Sequence, residues 1–259
     1  MTSAAYFNPT RRIFGTNILQ SLRKVLEEMP SMGIFLVLGR SSFRHSQAYQ
    51  TVGAARQGRK VYDSLSVESP PTLAFIQQAF NDMKSLPIDT VIGVGGGSVL
   101  DTAKTLAALY PQKDQTLAHY LNGAATFEKR ALPCIAIPTT AGTGSEVTPY
   151  ASLETDLKQK LSLSHRELFP HTAIVDTTLT HSAPPYLPAS TGFDALSQAI
   201  EAYWAKSASL FSDPHAIRAI PLILESLEQA TRHPDDEENR RKMSLASLEA
   251  GLAISQTRT

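Results

Sequence analysis

Residues 90–104 read TVIGVGGGSVLDTAK, and this stretch decides the fold. The apolar run at 90–94 reads as a buried strand, Gly95, Gly96 and Gly97 as a tight turn, and Ser98 as the N-cap of a helix carrying Asp101 and Lys104. Glycines without a Cβ let a backbone approach a phosphate, and the N–H groups at a helix start supply an anion site. The order fits neither GxxxxGK[ST] nor the ordinary GxGxxG, so the turn is read as a pyrophosphate cradle of another type. Taken alone, the glycines are also compatible with a strand-to-helix turn that binds nothing.

Further apolar runs of strand length lie at 33–38 (GIFLVL), 134–137 (CIAI) and 173–175 (AIV). All are apolar on both faces, as buried parallel strands are, and they alternate with segments of helical period. The fold class is therefore α/β with a parallel sheet, whose carboxyl edge is the place to look for a ligand. The strand at 134–137 empties into PTTAGTGSEVT, dense in hydroxyls and glycine, and two such loops on one edge can grip one dinucleotide. Beyond Pro184, Pro185 and Pro188 no strand is expected, and a boundary is placed there, with domains at 1–185 and 186–259. Helices are read at 192–206, 217–230 and from 242 onward, with a charged turn at 233–241. In the first of them Phe193, Leu196, Ile200 and Tyr203 form the expected core stripe, with Trp204 beside it, and Asp194, Gln198 and Glu201 share another face.

The 259 residues carry 24 basic and 24 acidic side chains, so no global field recruits nucleic acid or an anionic membrane. Cys134 is the single cysteine, which excludes an internal disulfide or a thiolate cluster and fits a reducing compartment; the expected location is cytoplasmic. No apolar stretch reads as a membrane span or signal segment.

GGGSVLDTAK at 95–104, PTTAGTGSEVTP at 138–149 and GFDALSQAIEAY at 192–203 resemble, in order, the signatures of the group III or iron-containing alcohol dehydrogenases. The resemblance extends to Lys160 in KLSLSH and Asp176 in AIVDTTLT. It implies a Rossmann-like N-terminal domain followed by an all-helical one, the dehydroquinate synthase-like fold, here incomplete because the sequence ends at Thr259. It also implies that Gly95, Gly96, Gly97 and Ser98 cradle the pyrophosphate of a nicotinamide cofactor, with Asp101 on the nicotinamide side. Thr139, Thr140, Thr143, Lys160 and Leu179 would line the rest. Gly39, Arg40, Ser41 and Ser42 would lie by the adenosine ribose, where Arg40 and the serines favour NADP(H) over NAD(H).

Asp194 matches the family's first metal ligand, and the next, normally histidine, is Gln198. An amide oxygen is a poorer donor than imidazole to Fe(II) or Zn(II). The family's two further ligand histidines come from later helices, and none of His45, His119, His165, His171, His181, His215 and His233 stands where they are expected; His165 is placed near the cleft by its closeness to Lys160. The resemblance implies hydride transfer between nicotinamide and a small alcohol or aldehyde. Ser41 to Phe43, Ser162 to His165 and the Gln198 motif look most like the phosphonoacetaldehyde reductase branch, with His165 and Arg166 as candidate phosphonate partners. It further implies a homo-oligomer, built on the edge of residues 34–38 or on the N-terminal residues. Two other readings stand beside it: a glycerol or sugar-phosphate dehydrogenase of the same fold, and a non-catalytic nucleotide-binding remnant.

Overall fold

The computed structural model describes residues 4–29, 31–39, 47–67, 70–112, 115–155, 157–181, 183 and 186–258. In chain order the elements are β1 (Arg11–Gly15), α1 (Ser21–Glu27), β2 (Gly33–Gly39), α2 (Gln47–Ala55), β3 (Lys60–Val67), α3 (Leu73–Met83), β4 (Thr90–Gly95) and α4 (Gly97–Leu109). There follow α5 (Leu117–Leu121), β5 (Cys134–Pro138), β6 (Tyr150–Glu154), β7 (Lys160–Ser164), β8 (Thr172–Asp176), α6 (Tyr186–Trp204), α7 (Asp213–Arg232) and α8 (Glu237–Thr257). Six strands form one parallel sheet in the order β1-β8-β5-β4-β2-β3, and β6 and β7 form a separate antiparallel ribbon.

The four strands read from apolar runs are all present. Both faces of the sheet are covered, as parallel pairing by helical crossovers requires. Phe35, Val37 and Val91 point into a cluster with Ile76, Phe80 and Leu106, while Ile34, Leu36, Leu38, Ile92 and Ile135 point into one with Leu22, Leu26 and Val52. From β2 the chain moves outward to β3, and from β4 outward in the opposite direction, so strand order reverses between β2 and β4. At such a reversal the loops diverge and leave a crevice at the carboxyl edge.

Several expectations are corrected. Residues 34–38 are no edge: β2 is paired on both sides, by β3 and β4, and the outer strands are β1 and β3. Ser98 is not the N-cap; Gly96 is, and the helix starts at Gly97. β1, β3, β6 and β7 lack the long apolar runs by which the other strands were read. α6 begins at Tyr186 and takes Pro188 into its first turn, where a missing N–H costs no intrahelical bond. α7 spans Asp213–Arg232, and α8 starts at Glu237, capped by the Asp236 carboxylate, which accepts from Asn239 N at 3.0 Å.

The core face of α6 also differs from the expected one. Ala195, Ala199 and Ala202 are buried, whereas Phe193, Tyr203 and Trp204 are 64%, 51% and 74% exposed. Ala219 and Ile223 of α7 and Ala246 and Ala250 of α8 meet the alanine face, with Leu196 packed beside it. Small residues let three helices approach closely, and that gain in packing decides which face turns inward. α8 also packs against the sheet side through Leu248 and Leu252, which share a cluster with Val147, Ala173 and Val175.

Candidate functional site

The carboxyl edge gathers Gly39 at the end of β2, the glycine turn after β4, the hydroxyl-rich loop after β5 and the turn Thr177–Thr180 after β8. Thr139 N donates to Gly95 O at 3.0 Å, which stitches the second loop to the first turn at its root. Gly97 is required by close approach: a Cβ there would lie 2.6 Å from Thr143 Cγ2. A Cβ on Gly96 would lie 3.5 Å from the Thr140 side chain, and one on Gly39 3.7 Å from Val99 in the first turn of α4. No side chain caps α4, so its start meets the cleft through Gly97 and Ser98.

A cleft of about 360 Å³ opens between this edge, the β6–β7 ribbon and α6. It brings together Gly97, Ser98, Asp101, Thr143, Lys160, Asp194 and Gln198 from the predicted set, and adds Ser145, Thr148, Tyr150, Ser152, Ser162 and Ile254. The ribbon register pairs Ser152 with Ser162 and Glu154 with Lys160, so one short hairpin delivers both Lys160 and Ser162. Thr140 lines a smaller cavity nearby with Thr180, Leu187 and Arg240. Leu179 packs partly buried against the core on the α1–α2 side of the sheet. Arg40, Ser41 and Ser42 lie outside the described residues, as do Phe43 and His45.

The polar wall is densely bonded. Lys104 is 1% exposed, and its Nζ lies 3.0 Å from Asp101 Oδ1 and donates to Ser145 Oγ at 2.8 Å and Ser145 O at 3.1 Å. Asp101 accepts from Ser145 Oγ at 2.5 Å and, through its other oxygen, from Ser152 N at 2.9 Å. Burial pushes the Glu146 carboxyl up to about 7, against the opposing pull of its own backbone N–H and of the Lys104 charge. Burial likewise pushes the Cys134 thiol to about 12, which leaves it unreactive at neutral pH.

On α6, Gln198 Nε2 donates to Asp194 Oδ2 at 3.2 Å. Desolvation raises the Asp194 carboxyl above its ordinary value, opposed by that hydrogen bond and, more weakly, by Lys160, and reinforced by Glu201. Gln198 Oε1 is buried and makes no hydrogen bond. Among the described residues no group of three or more His, Cys, Asp or Glu is placed to hold a metal ion. One carboxylate and one amide are at most half of the closed donor set that a tightly held transition metal needs, so these residues do not by themselves fit one.

The comparisons with known proteins agree with the order of these parts. Residues 9–177 match the family model described as iron-containing alcohol dehydrogenase, and residues 188–259 match that of the Fe-containing alcohol dehydrogenase family, C-terminal. The chain belongs to the iron-containing alcohol dehydrogenase family.

Within this family of oxidoreductases, the long-chain-alcohol dehydrogenase 1 of Geobacillus thermodenitrificans is 44% identical over 201 residues, which are 77% of this chain and 50% of that protein. The chain thus spans about half the length of the curated relatives it matches first. An iron-containing alcohol dehydrogenase of Thermotoga maritima superposes with a TM-score of 0.91 at 32% identity, covering 99% of this chain and 70% of that one. A sulfoacetaldehyde reductase of Bifidobacterium kashiwanohense, solved in complex with NAD+, gives 0.91 at 33% identity, covering 99% and 68%.

Two expectations for this iron-containing alcohol dehydrogenase chain are corrected by the geometry. His165 does not line the cleft; its Nδ1 accepts from Glu167 N at 3.2 Å and its ring packs 5.1 Å from Phe127, which stacks on Tyr120. Arg166 faces the opposite, amino edge of the sheet, where it shares a groove with Phe7, Arg130 and His171 and lies over the Phe7 ring. The cleft residues that sequence reading did not assign to the site include Ser145, Thr148, Tyr150, Ser152, Ser162 and Ile254. Ser145 and Thr148 carried a local signal in the hydroxyl-rich loop after β5, and Ser162 in KLSLSH, but nothing local marked Ser152.

Proposed function

We propose that this chain binds a nicotinamide dinucleotide along the carboxyl edge and serves hydride transfer between the nicotinamide and a small alcohol or aldehyde. The observation that carries it is one cleft in which the glycine turn, Thr143, Lys160, Asp194 and Gln198 meet. Gly95, Gly96, Gly97 and Ser98 take the pyrophosphate at the start of α4, where backbone and helix dipole favour an anion. To the nicotinamide half this reading assigns Asp101, Thr139, Thr140, Thr143 and Lys160, and to the adenosine half Gly39 and Leu179 and, from sequence alone, Arg40, Ser41 and Ser42. In this reading residues 1–185 are the cofactor-binding domain and 186–259 belong to the helical, metal-side domain.

In the reduction direction, hydride passes from the nicotinamide to the carbonyl carbon and a proton to the oxygen, giving alcohol and oxidised cofactor. The chain supplies placement, by holding the dinucleotide against a cleft wall rich in hydroxyls. No step is assigned to a metal, because Asp194 and Gln198 alone do not complete a site. The cofactor preference we propose is NADP(H), received by Arg40. The substrate we propose is a short anionic aldehyde such as phosphonoacetaldehyde, reduced to 2-hydroxyethylphosphonate. Lys160, a cation lining the cleft, and the sulfonated aldehyde named for the Bifidobacterium enzyme support that class. Association into a homo-oligomer in the cytoplasm completes the reading, with β1 as the available edge; no described helix is long and apolar enough to cross a membrane.

A second reading is favoured by the two-donor set on α6: a nucleotide-binding chain without turnover. Titration with NADPH and NADH by nicotinamide fluorescence, alongside turnover of phosphonoacetaldehyde and simple aldehydes with and without Fe(II), decides between them. Saturable binding with metal-dependent turnover supports the reductase, and binding without turnover the second reading. Absence of binding to both cofactors removes both, and NADH binding as tightly as NADPH removes the preference.

A further inference from the structure

A lysine ammonium is almost never found fully buried unless it is paired, because leaving water is costly. Lys104 meets that demand in an unusual place, behind the cleft. Besides Asp101 and Ser145, its Nζ reaches Thr148 O at 3.3 Å and Thr148 Oγ1 at 3.4 Å. The Asp101 carboxylate in turn holds Ser145 Oγ with one oxygen and Ser152 N with the other. These bonds join three separate parts: α4 next to the glycine turn, the end of the second loop, and β6 of the ribbon.

We infer that Asp101 and Lys104 act together as a positioning device that fixes the second loop and the β6–β7 ribbon against the glycine turn, and so sets the shape of the cofactor cleft. The chain of contacts is continuous. Ser145 N donates to Thr143 Oγ1 at 3.3 Å, and Thr143 is the residue packed against Gly97. On the other side Ser152 sits opposite Ser162, within the hairpin that delivers Lys160. A shift at Asp101 therefore moves both the pyrophosphate wall and the Lys160 wall. An apolar pair of equal volume would fill the space but hold neither the Ser152 N–H nor the Ser145 and Thr148 carbonyls.

The inference rests on the reading of the cleft as a nicotinamide site, and its test separates the two. Asp101→Ala, Lys104→Met and the double variant are titrated with NADH and NADPH by fluorescence and followed by thermal unfolding without cofactor. Each single variant is expected to bind at least tenfold more weakly. The double variant should bind no more weakly than the worse single, because removing both partners leaves no buried charge uncompensated. A merely structural role would lower the unfolding temperature while the folded protein bound cofactor within twofold of wild type, and that result, or losses that multiply in the double variant, overturns the inference.

Ser145→Ala keeps both charges and decides the matter if the charge variants do not fold. A three- to tenfold loss of affinity is expected, and no loss overturns the device. If the wild-type chain binds neither cofactor, the cofactor reading fails. The positioning device is then judged by hydrogen exchange at the Ser152 amide, which should quicken at least tenfold in Asp101→Ala or, where that variant does not fold, in Ser145→Ala; unchanged exchange overturns it.

Discussion

Behind the glycine turn, both oxygens of Asp101 and the amino group of Lys104 are met by residues of other segments, whereas across the cleft Asp194 is bonded by its neighbour Gln198 and Gln198 Oε1 is left buried without a partner. The sheet-side wall is assembled from distant pieces of chain and is satisfied. The helix-side wall is one helix face, set by i,i+4 spacing, with acceptor capacity to spare. The contrast teaches that the sheet-side wall is satisfied from within, while among the described residues the α6 side keeps a buried polar atom without a partner.

The contrast would break most severely where the second loop meets α8. Gly144 has φ 59°, and a Cβ there would lie 2.5 Å from Gly251 Cα of α8. Gly144→Ala should cost about 4 kcal/mol, combining overpacking against backbone with a left-handed alanine. Urea unfolding checks this, and a loss below about 1 kcal/mol would mean that the helical part is not tightly docked on the second loop.

Glu146, beside the satisfied knot, sharpens the comparison through pH. Its folded carboxyl is raised from 4.5 to about 7, so between those values the folded state holds a proton that the unfolded state has released. Stability must then fall as pH rises through that window and stay reduced above it. Glu146→Gln should be more stable than wild type by up to about 3 kcal/mol at pH 8 and near equal at pH 4, by urea unfolding at both values. A variant that is less stable at pH 8 would show the charged carboxylate to be favourably held.

Within the sheet-side wall, Gly97→Val should weaken NADH binding about 100-fold and, through the Thr143 contact, cost about 1–3 kcal/mol of stability, so affinity is compared on the folded variant. Equal affinity would take the pyrophosphate away from this turn. The smallest effect belongs to the α6 side. Gln198→His should tighten Zn(II) binding about tenfold, measured by competition with a chromophoric chelator, because imidazole is the better donor. No change would mean that Asp194 and residue 198 do not address one ion.

Much of this was legible locally. A buried strand followed by glycines and a helix is written in consecutive residues, and so are the hydroxyl-rich loop after β5 and the carboxylate-amide pair on α6. The ribbon was harder: in Tyr150–Glu154 and Lys160–Ser164 the alternation is short, and its polar residues read as loop until Asp101 is seen to accept from Ser152 N. His165 and Arg166 were misplaced because closeness in sequence to Lys160 says nothing about which edge of a sheet the next turn reaches.

The sequence by itself determined the parallel α/β sheet, the two loops on its carboxyl edge and the identity of the family, because each is carried by contiguous residues whose backbone preferences act over a few positions. Only the tertiary structure decided that Lys104 and Asp101 are spent on residues 41 and 51 positions away, and that α6 buries alanines while its aromatics face outward. Burial belongs to the face that neighbours can approach closely, and a helix carries no mark of where those neighbours will stand until the rest of the chain has folded around it.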